Sequence, residues 1–340
     1  MKKILIVNPG STSTKYKLFT EQGKVISDHN FEITEVKEEK EFLSSIEDLT
    51  KVGIRVVHGG DLSDTSKINK RIKDKIKEYT AFAPIHNALA TKTIEKMEKI
   101  FPNAKLYANF DTAFHTTIPE ENATYAIPLK LAKKYKLRKY GFHGLAVSSA
   151  LKVFKKELKE SGKKLPKNIV FAHLGGGASI TAVKGGKSFA TTMGLTPLSG
   201  IMMVTRAGDI DPDLNKILAL KEGKTIDEIS YMLNNESGFY GMTGTKDSLK
   251  IFKAAEAGSK KEKLAFDIFV NNIVEKIYGF AGLMGGIDAV VFSGGIGYND
   301  KFLRNTVTKR LKTLGLTTKD IYRANIDEEQ IMFDNIKKMK

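Results

Sequence analysis

The sequence carries the same short plan twice, about half a chain apart. Residues 5–15 read LIVNPGSTSTK, an apolar run followed by a turn of Gly, Ser and Thr and the start of a second strand. Residues 170–180 read VFAHLGGGASI, again an apolar run, a glycine-rich turn and a second run. Short β-type runs joined by glycine turns are typical of β-hairpins. Two such hairpins predict two related domains that face each other across a cleft.

Strands and helices are predicted to alternate along the rest of the chain, so we expect a layered α/β protein. The predicted strands are residues 4–7, 16–19, 105–109, 169–173, 180–183 and 289–292. Apolar residues at helical spacing mark one helix through Ile68, Ile72 and Ile76, stopped by Pro84, and another from Val147 to Leu158, closed by Gly162. Residues 225–228 and 259–262 read as capping boxes, and a last helix is expected from about residue 328.

The 340-residue chain is strongly basic, with a formal net charge of +16. Such an excess favours anionic partners: nucleic acid, lipid headgroups or phosphorylated metabolites. The densest basic stretch, residues 130–139, has no zinc-finger pattern or aromatic RNA-binding motif beside it, so we expect a solvated lysine-rich surface and no nucleic-acid partner. No apolar run approaches the ~18 residues of a membrane span, and the opening MKKILIVNPG reads as a first strand rather than a signal peptide. The absence of cysteine fits a reducing compartment, and we expect a cytoplasmic protein without membrane contact.

Three glycine-rich segments are suited to hold phosphate groups, because glycine lets consecutive backbone N–H groups approach an anion. They are the two hairpin turns and residues 293–299, SGGIGYN, which follow an apolar strand and precede a predicted helix. The sequence has neither a Walker GxxxxGK[ST] motif nor a Rossmann GxGxxG with its ribose-binding acid. Together the three segments predict a nucleotide site of another kind.

Histidines, two arginines and one aspartate stand in turn-rich segments where functional side chains are common. Five of the six histidines lie there, with no HxxxH or HExxH spacing that would indicate zinc: His58, His86, His115, His143 and His173. Arg55 and Arg206 could each bind a carboxylate or phosphate bidentately, or form surface salt bridges to Asp61 or Asp209. Asp111 directly follows a predicted strand, where loop acids often bind metal.

These segments, taken together, resemble the acetate kinase family, which is part of the superfamily of sugar kinases and actin. The resemblance covers most of the chain, and its motifs occur in family order. They are NPGSTSTK at 8–15, RVVHGG at 55–60, APIHN at 83–87, FDTAFHTTIP at 110–119, KYGFHG at 139–144, HLGGGASITAVKGGKS at 173–188, MGLTPLSGIMMVTRAGDIDP at 193–212 and FSGGIGYN at 292–299.

The resemblance implies a fold and an activity. The fold would be two ribonuclease H-like, actin-like ATPase domains around a central cleft. The first would comprise residues 1–112 completed by a C-terminal helix at 328–340, and the second, which binds the nucleotide, residues 113–327. The activity would be reversible, direct in-line phosphoryl transfer between ATP and acetate, giving ADP and acetyl phosphate, by a homodimer.

The resemblance also implies a role for each matching residue. Asn8 and Glu328 would hold Mg²⁺ or Mn²⁺, and Asp111, His143 and Arg206 would be catalytic. Because a small carboxylate is already ionised at neutral pH (pKa about 4–5), Asp111 is expected to organise metal and water rather than act as a base. Substrate would be bound by Arg55, at the carboxylate, and by Val57, Ile85, Phe142 and Pro197, around the methyl group. Nucleotide would be bound by Lys15, His173, Leu174, Gly175, Gly176, Gly177, Asp247, Ser248, Leu249, Gly295, Ile296, Gly297, Tyr298 and Asn299.

The chain departs from the family pattern at several places. The family's Asn-Glu-Glu motif before the last helix is Asp327-Glu328-Glu329 here, and its Asp-Phe-Arg is Asp247-Ser248-Leu249. HLGNG has become HLGGG, GIGEN has become GIGYN, and YGFHGTSH has become YGFHGLAV. The segments between Phe19 and Gly53 and between Lys319 and Asp327 are shorter. These departures concern the nucleotide side more than the acyl side.

Two alternatives to an acetate kinase stay open on the sequence. NPGSTSTK and HLGGG resemble butyrate kinase segments, so the acceptor could be propionate or butyrate. The shortened segments and the high charge also fit a catalytically silent protein that binds nucleotide or nucleic acid.

Overall fold

The computed structural model of the chain describes residues 1–10 and 12–339. Within that part of the chain the strands are β1 (Lys3–Pro9), β2 (Ser13–Thr20), β3 (Val25–Glu32), β4 (Leu49–Val56), β5 (Ser66–Lys67), β6 (Lys105–Phe110), β7 (Asn168–Leu174), β8 (Ala178–Lys184), β9 (Lys187–Thr191), β10 (Ala289–Ser293) and β11 (Ile321–Arg323). All six strands predicted from the sequence are confirmed.

The helices of the described residues are α1 (Val36–Ser44), α2 (Lys70–Glu78), α3 (Pro84–Ile100), α4 (Glu120–Ala123), α5 (Leu129–Tyr135), α6 (Gly144–Glu160), α7 (Asp213–Glu222), α8 (Ile226–Asn235), α9 (Gly238–Thr243), α10 (Ser248–Glu256), α11 (Lys260–Met284), α12 (Gly294–Asn299), α13 (Lys301–Arg310) and α14 (Glu328–Lys337). Short 3₁₀ turns lie at Tyr79–Phe82, Ala113–Thr117, Lys312–Leu314 and Thr318–Asp320. None of the helices in the described residues has the length and apolarity needed to cross a membrane.

The chain forms two compact units. Unit 1 consists of Met1–Thr116, Phe142–Ser149 and Asp327–Lys340, and unit 2 of Thr117–Gly141 and Ala150–Ile326. Unit 1 is therefore assembled from three separate stretches of the sequence.

Unit 1 is built on a six-stranded sheet in the order β3-β2-β1-β4-β6-β5. Strands β1, β4 and β6 are parallel neighbours, and β1–β2 is the antiparallel hairpin predicted at residues 5–15. Because successive strand side chains point to opposite faces, each strand supplies both faces of the sheet. One face buries Leu5 and Val7 against α1, α2 and α3, and the other buries Ile4 and Ile6 against α6 and α14.

Unit 2 is built on a five-stranded sheet in the order β11-β10-β7-β8-β9. Strand β7 pairs antiparallel with β8 and parallel with β10, and α11 packs on β7 and β8. Four rings from α9, α10 and α11 form an aromatic cluster beside this sheet: Phe239, Phe252, Phe266 and Phe269.

The two sheets repeat one topology, which confirms the internal repeat predicted from the hairpins. Five strands of unit 1, β3-β2-β1-β4-β6, correspond position by position to β9-β8-β7-β10-β11 of unit 2. In each unit a hairpin is followed by a strand that pairs parallel with the hairpin's first strand. The observed fold class, mixed α/β with two related sheets, is the one expected.

Several local predictions differ from the structure. Ile68 precedes α2, which begins at Lys70, and Pro84 is the first residue of α3 rather than only the end of a helix. Proline suits that position because its missing N–H would have no intrahelical partner there. The capping box at Thr225 is confirmed, but the hydroxyl of Ser259 donates to the Glu262 carboxylate instead of accepting from the backbone. The segment from Gly294 is itself a short helix rather than a loop that precedes one.

Candidate active site

Three predicted site residues meet in unit 1 at the carboxyl ends of parallel strands, the usual position of ligand sites in such sheets. Asn8 lies near the end of β1, Arg55 near the end of β4, and Asp111 directly after β6. Because side chains alternate between the two faces along a strand, all three side chains lie on the sheet face covered by α14. The pairing register puts Asn8 beside Arg55, so the sheet itself assembles this group.

Arg55 is held from two sides. Its Nε and Nη2 donate to the carboxylate of Asp111, at 3.1 Å to Oδ1 and 2.6 Å to Oδ2, and its Nη1 donates to Oδ1 of Asn8 at 3.1 Å. The side chain is 19% exposed. Burial alone would lower the pKa of Arg55, but the charges of Asp111 and Glu328 outweigh that effect and raise it. These contacts engage three of the five N–H groups of a guanidinium, which leaves two for a planar anion.

Asp111 is almost fully buried, with 1% of its side chain exposed. Burial raises the pKa of its carboxyl group, the cation of Arg55 opposes that rise, and Glu328 adds to it. An isolated buried carboxylate would be strongly destabilising, so the bidentate guanidinium is what allows an acid at this position.

The first turn of α14 brings two glutamates to Asn8. Nδ2 of Asn8 donates to Oε1 of Glu329 at 2.6 Å and to Oε2 of Glu328 at 3.4 Å. Glu328 is the residue predicted as a metal ligand. Glu329 is buried and makes the shorter bond, but sequence reasoning did not assign it a role. The two consecutive glutamates in Asp327-Glu328-Glu329 are the sequence signal from which a role for Glu329 could have been predicted.

The start of α14 is fixed by its cap residue. Oδ1 of Asp327 accepts from the backbone of Gln330 at 2.8 Å, and its Oδ2 accepts from Lys17 Nζ at 2.6 Å. The hydroxyl of Ser149, on α6, accepts from the backbone N–H of Asp327 at 2.8 Å. Burial lowers the pKa of Lys17, but the carboxylates of Asp327 and Asp28 more than compensate, so the pKa is raised and the pair stays charged. These contacts hold the backbone that carries Glu328 and Glu329.

Lys15 lies directly opposite Asn8 across the β1–β2 hairpin. Residues opposite each other in an antiparallel pair project to the same face, so the exposed Lys15 is on the side of the sheet that carries Asn8. Ser11, within the NPGSTSTK motif, lies outside the described residues.

His143 stands in a strained backbone segment between the two stretches of unit 2. Its φ is +60°, a left-handed conformation that residues with a side chain seldom adopt, and strain of this kind is concentrated at functional sites. The next residue, Gly144, begins α6 and donates its N–H to the carbonyl of Asp111 at 2.9 Å. A Cβ on Gly144 would lie 2.2 Å from that carbonyl oxygen, so the close approach requires glycine. This contact joins the backbones that carry His143 and Asp111.

The residues predicted to enclose the substrate methyl group are unequal in burial. In unit 1, Phe142 and Val57 are buried, whereas Ile85, in the first turn of α3, is 55% exposed. Pro197 is in unit 2, where its carbonyl accepts from Nη1 of Arg206 at 3.2 Å. The predicted catalytic arginine and the predicted pocket proline are thus neighbours.

The glycine-rich segments of unit 2 are also brought together at the ends of parallel strands. His173, the residue before the end of β7, pairs with Ser293 at the end of β10, and the His173 Nδ1 to Ser293 Oγ distance is 3.2 Å. A Cβ on Gly294 would lie 2.5 Å from the carbonyl oxygen of Leu174, so the turn after β7 and the start of α12 are in close contact. In the 174–177 turn, Gly175 donates its N–H to the carbonyl of Gly177 at 3.0 Å.

The other predicted nucleotide residues have identifiable local roles. Asp247 caps α10 by accepting from the backbone of Lys250 at 3.1 Å, and Leu249 in that helix is exposed. Within α12, the amide of Asn299 donates to the carbonyl of Gly295 at 2.9 Å. The guanidinium of Arg323 lies over the ring of Tyr298 at 5.0 Å.

The donor set of unit 1 fits a magnesium ion better than a soft metal. The described residues contain no group of three His, Cys, Asp or Glu placed as a metal cage. What they offer is a pair of carboxylates, Glu328 and Glu329, with hard oxygen atoms that accept from Nδ2 of Asn8. The amide oxygen of Asn8 accepts from Arg55. Mg²⁺ is commonly held by one or two carboxylates together with substrate phosphates and water, so Glu328 fits such an ion. Asn8 would bind it through Oδ1, the atom that accepts from Arg55 in this structure.

Comparison with known proteins places the chain among small-acid kinases. The model of the Acetokinase family matches residues 26–337. The chain is 35% identical to the acetate kinase of Mycoplasma capricolum subsp. capricolum, over 92% of this chain and 88% of that protein, and 35% identical to the acetate kinase of Finegoldia magna, over 99% and 94%.

Solved structures give the same result. A propionate kinase from Francisella tularensis superposes with a TM-score of 0.89 at 33% identity, covering 98% of this chain and 99% of that one. The acetate kinase of Porphyromonas gingivalis has a TM-score of 0.87 at 29% identity and full coverage of both chains. With a family match over most of its length, close structural relatives and the motifs assembled at the ends of two related sheets, the chain belongs to the acetokinase family.

Proposed function

We propose that this protein is an acetate kinase, which transfers the γ-phosphoryl group of ATP reversibly to acetate. The observation that carries the proposal is the half-buried Arg55, held by Asp111 and Asn8 with two N–H groups left for a planar anion. A site of this kind binds a carboxylate, and the named relatives are kinases of small carboxylic acids.

The acceptor needs no deprotonation, because acetate is ionised at neutral pH. The barrier to reaction is the approach of an anion to a triphosphate, which positioned cations lower. In unit 1, Arg55 would hold the carboxylate, Lys15 would neutralise phosphate charge, and His143 would donate to the transferring group. Asp111 would keep Arg55 in place rather than act as a base, since both carboxylate oxygens already accept from that guanidinium.

Unit 2 would bind the nucleotide. Its support is the contact between the 174–177 turn and Gly294, which places two glycine-rich backbones at the ends of β7 and β10. Arg206 would contribute a further cation to the transferring phosphoryl group. Mg²⁺, when bound with ATP by Asn8 and Glu328, would supply charge neutralisation at the phosphates.

The direct test is formation of an acyl phosphate. Purified protein is incubated with ATP, Mg²⁺ and acetate, and acetyl phosphate is trapped with hydroxylamine. We expect product that depends on all three components and falls by at least 100-fold in Arg206→Ala, because one charge-stabilising donor is worth about that much. Binding of nucleotide without product would support the silent alternative and overturn the proposal.

A propionate or butyrate kinase is the second candidate, favoured by the structural similarity to the propionate kinase of Francisella tularensis. The test is kcat/KM for acetate, propionate and butyrate, since each methylene changes binding by about 1–3 kcal/mol. An optimum at acetate supports the first proposal, and an optimum at a longer acid replaces it.

We also propose that the protein is a homodimer, as the family resemblance implies. The ten-residue helix α7 has no buried side chain, and large apolar residues of α7 and α8 are exposed, among them Ile217, Leu220 and Ile226. Exposed apolar side chains grouped in this way are typical of a protein interface. Light scattering after size-exclusion chromatography is expected to give twice the 37.6 kDa chain mass, and a monomer would contradict the proposal.

A further inference from the structure

Two buried histidines have no part in the proposed phosphoryl transfer, yet both contact Phe142. His58 is 0% exposed and His115 is 1% exposed. Both belong to motifs that the sequence singled out, RVVHGG and FDTAFH. Phe142 immediately precedes the strained His143, and its ring is fully buried.

His58 supports the ring of Phe142. The two rings meet edge to face, with centroids 5.3 Å apart. On its other side His58 stacks on Tyr79, at 5.0 Å and an interplanar angle of 9°. The result is a row of three rings, Tyr79, His58 and Phe142, and its last member is one of the residues predicted to enclose the substrate methyl group.

The His58 imidazole is fixed in this row by its surroundings. Its Nδ1 accepts from the backbone N–H of Gly60 at 3.1 Å, which places the ring proton on Nε2 in the neutral form. Its backbone N–H and carbonyl are both bound by the side chain of Asn87, at 3.0 Å each. A Cβ on Gly60 would lie 2.1 Å from the Tyr79 ring, so no larger residue fits between the backbone and the row.

His115 holds the backbone of the same phenylalanine. Its Nε2 donates to the carbonyl of Phe142 at 2.8 Å. His115 thus fixes the main chain of Phe142, while His58 fixes its ring. A side chain held at both its backbone and its ring cannot withdraw to admit a larger ligand without breaking one of these contacts.

We propose that His58 and His115 are positioning residues that hold Phe142 as a rigid wall of the predicted acyl pocket and thereby disfavour acyl chains longer than acetate. The inference rests on the proposed function, since it assigns the chain-length selectivity of that same site. Neither histidine touches the substrate; both act through Phe142.

The test uses one substitution that removes ring support and one that keeps it. His58→Ala takes away the imidazole behind Phe142, whereas His58→Phe keeps a flat ring of similar size. For each variant, kcat/KM is measured with acetate, propionate and butyrate, together with the KM for ATP. We expect the butyrate-to-acetate ratio of His58→Ala to rise by about 10-fold or more, because an extra methylene that fits is worth about that much.

His58→Phe is expected to keep the wild-type ratio, and neither variant should change the KM for ATP. General damage to the fold would lower activity on all three acids together and leave the ratio unchanged, so a changed ratio distinguishes positioning from damage. If His58→Ala does not fold, Tyr79→Leu, which removes the far ring of the row, is measured in its place and is expected to shift the ratio in the same direction.

A wild-type ratio in the folded variant would overturn the inference. That outcome differs from failure of the proposed function, in which the wild-type protein phosphorylates none of the three acids.

Discussion

At the scale of single residues, four polar side chains of unit 1 form one connected group of hydrogen bonds. Asp111 binds Arg55, Arg55 binds Asn8, and Asn8 binds Glu329, through consecutive bonds of 2.6–3.1 Å. Such a network is stabilising only while every member has its partner, because a charge left alone in a low-dielectric site is expensive. Function and stability are therefore coupled at these positions.

Loss of Arg55 should cost more stability than the bond itself contributes. Arg55→Leu leaves the carboxylate of Asp111 buried without its cation, and we expect unfolding free energy to fall by about 3–5 kcal/mol. In the double variant Arg55→Leu/Asp111→Leu, part of that loss should be recovered because no charge is then stranded. Urea unfolding of the two variants measures the difference, and equal losses in both would contradict the expectation.

His115 should make stability depend on pH in the acid range. Burial lowers the pKa of His115 from 6.5 to about 4, and the bond to the Phe142 carbonyl only partly opposes this. Between these two values the unfolded chain binds a proton that the folded chain does not, so the stability present above pH 6.5 is lost as pH falls toward 4. The full contribution is about 3 kcal/mol.

The measurement is urea unfolding of the wild type and His115→Gln from pH 7.5 to pH 4. As the pH falls over this range, the unfolding free energy of the wild type is expected to decrease more steeply than that of the variant. The difference in slope should correspond to about one additional proton bound by the unfolded chain. Parallel stability curves for the two proteins would show that His115 is not the titrating group.

At the scale of secondary-structure elements, the position of α14 is set by a single cap residue. Asp327 is bound at once to its own helix, to Lys17 of β2 and to Ser149 of α6. The helix therefore starts at a fixed point relative to Asn8. Since Glu328 and Glu329 are the next two residues, a change in the position of Asp327 would displace the carboxylates of the candidate metal site.

Asp327→Ala is expected to raise the Mg²⁺ concentration needed for half-maximal activity several-fold and to reduce stability by about 1–2 kcal/mol, the typical range for a lost cap. Thr225→Ala is a matched control, because it removes the solvent-exposed cap of α8. It should cost a similar free energy without any change in the Mg²⁺ requirement. Mn²⁺ binding followed by electron paramagnetic resonance gives a second measurement, and equal Mn²⁺ affinities of the two variants would refute the link.

Strands were easier to predict than the ends of helices, for a physical reason. Residues 4–7 and 289–292 are continuous apolar runs buried on both faces of a sheet, and burial of that kind leaves a clear pattern. Whether Ser259 accepts from the backbone or donates to Glu262 depends on hydroxyl orientation, which no pattern records. In the same way, the sequence at Gly294 is compatible with the start of a loop or of a helix. The close contact with Leu174 exists only in the folded structure.

The sequence predicts only part of the candidate site. Asn8 and Asp111 follow runs that were predicted as strands, and the sheet order brings them together with Arg55. Strand β4, which carries Arg55, was not predicted, and Arg55 was identified from its turn-rich surroundings and the RVVHGG motif. Glu329 was missed because the motif match assigned a role to Glu328 alone, and only the folded structure shows that Glu329 makes the shorter bond to Asn8. The support of Phe142 by His58 and His115 likewise depends on ring packing that only the folded structure contains.

At the scale of the whole molecule, unit 1 depends on the last helix for one side of its sheet. Ile331, Met332, Phe333 and Ile336 of α14 cover Ile4, Ile6, Phe19 and Tyr107. Burial of four such side chains is worth about 6–12 kcal/mol, comparable with the total stability of a typical domain. Without α14, one face of the sheet would be exposed apolar surface.

A chain that ends at Ile326 should therefore lose the ordered structure of unit 1 while unit 2 remains folded. Hydrogen exchange is expected to show loss of protection in β1, β4 and β6 and retained protection in β7, β8 and β10. A chain that ends at Lys337, which keeps all of α14, is the control and should be protected in both sheets. Protection of β1, β4 and β6 in the chain that ends at Ile326 would contradict the proposed dependence.

The three-part composition of unit 1 also sets an order of events on the ribosome. Domains fold as their residues emerge, and the last segments of unit 2 end at Ile326, before Asp327 has been synthesised. The sheet that contains β1 has one face uncovered until α14 has been synthesised. Strand β1 is thus synthesised long before its sheet is complete, and the bond between Asn8 and Glu329 forms only after α14 has been synthesised. A nascent chain of this protein can therefore complete the glycine-rich unit 2 before it contains the glutamate that binds Asn8 in unit 1.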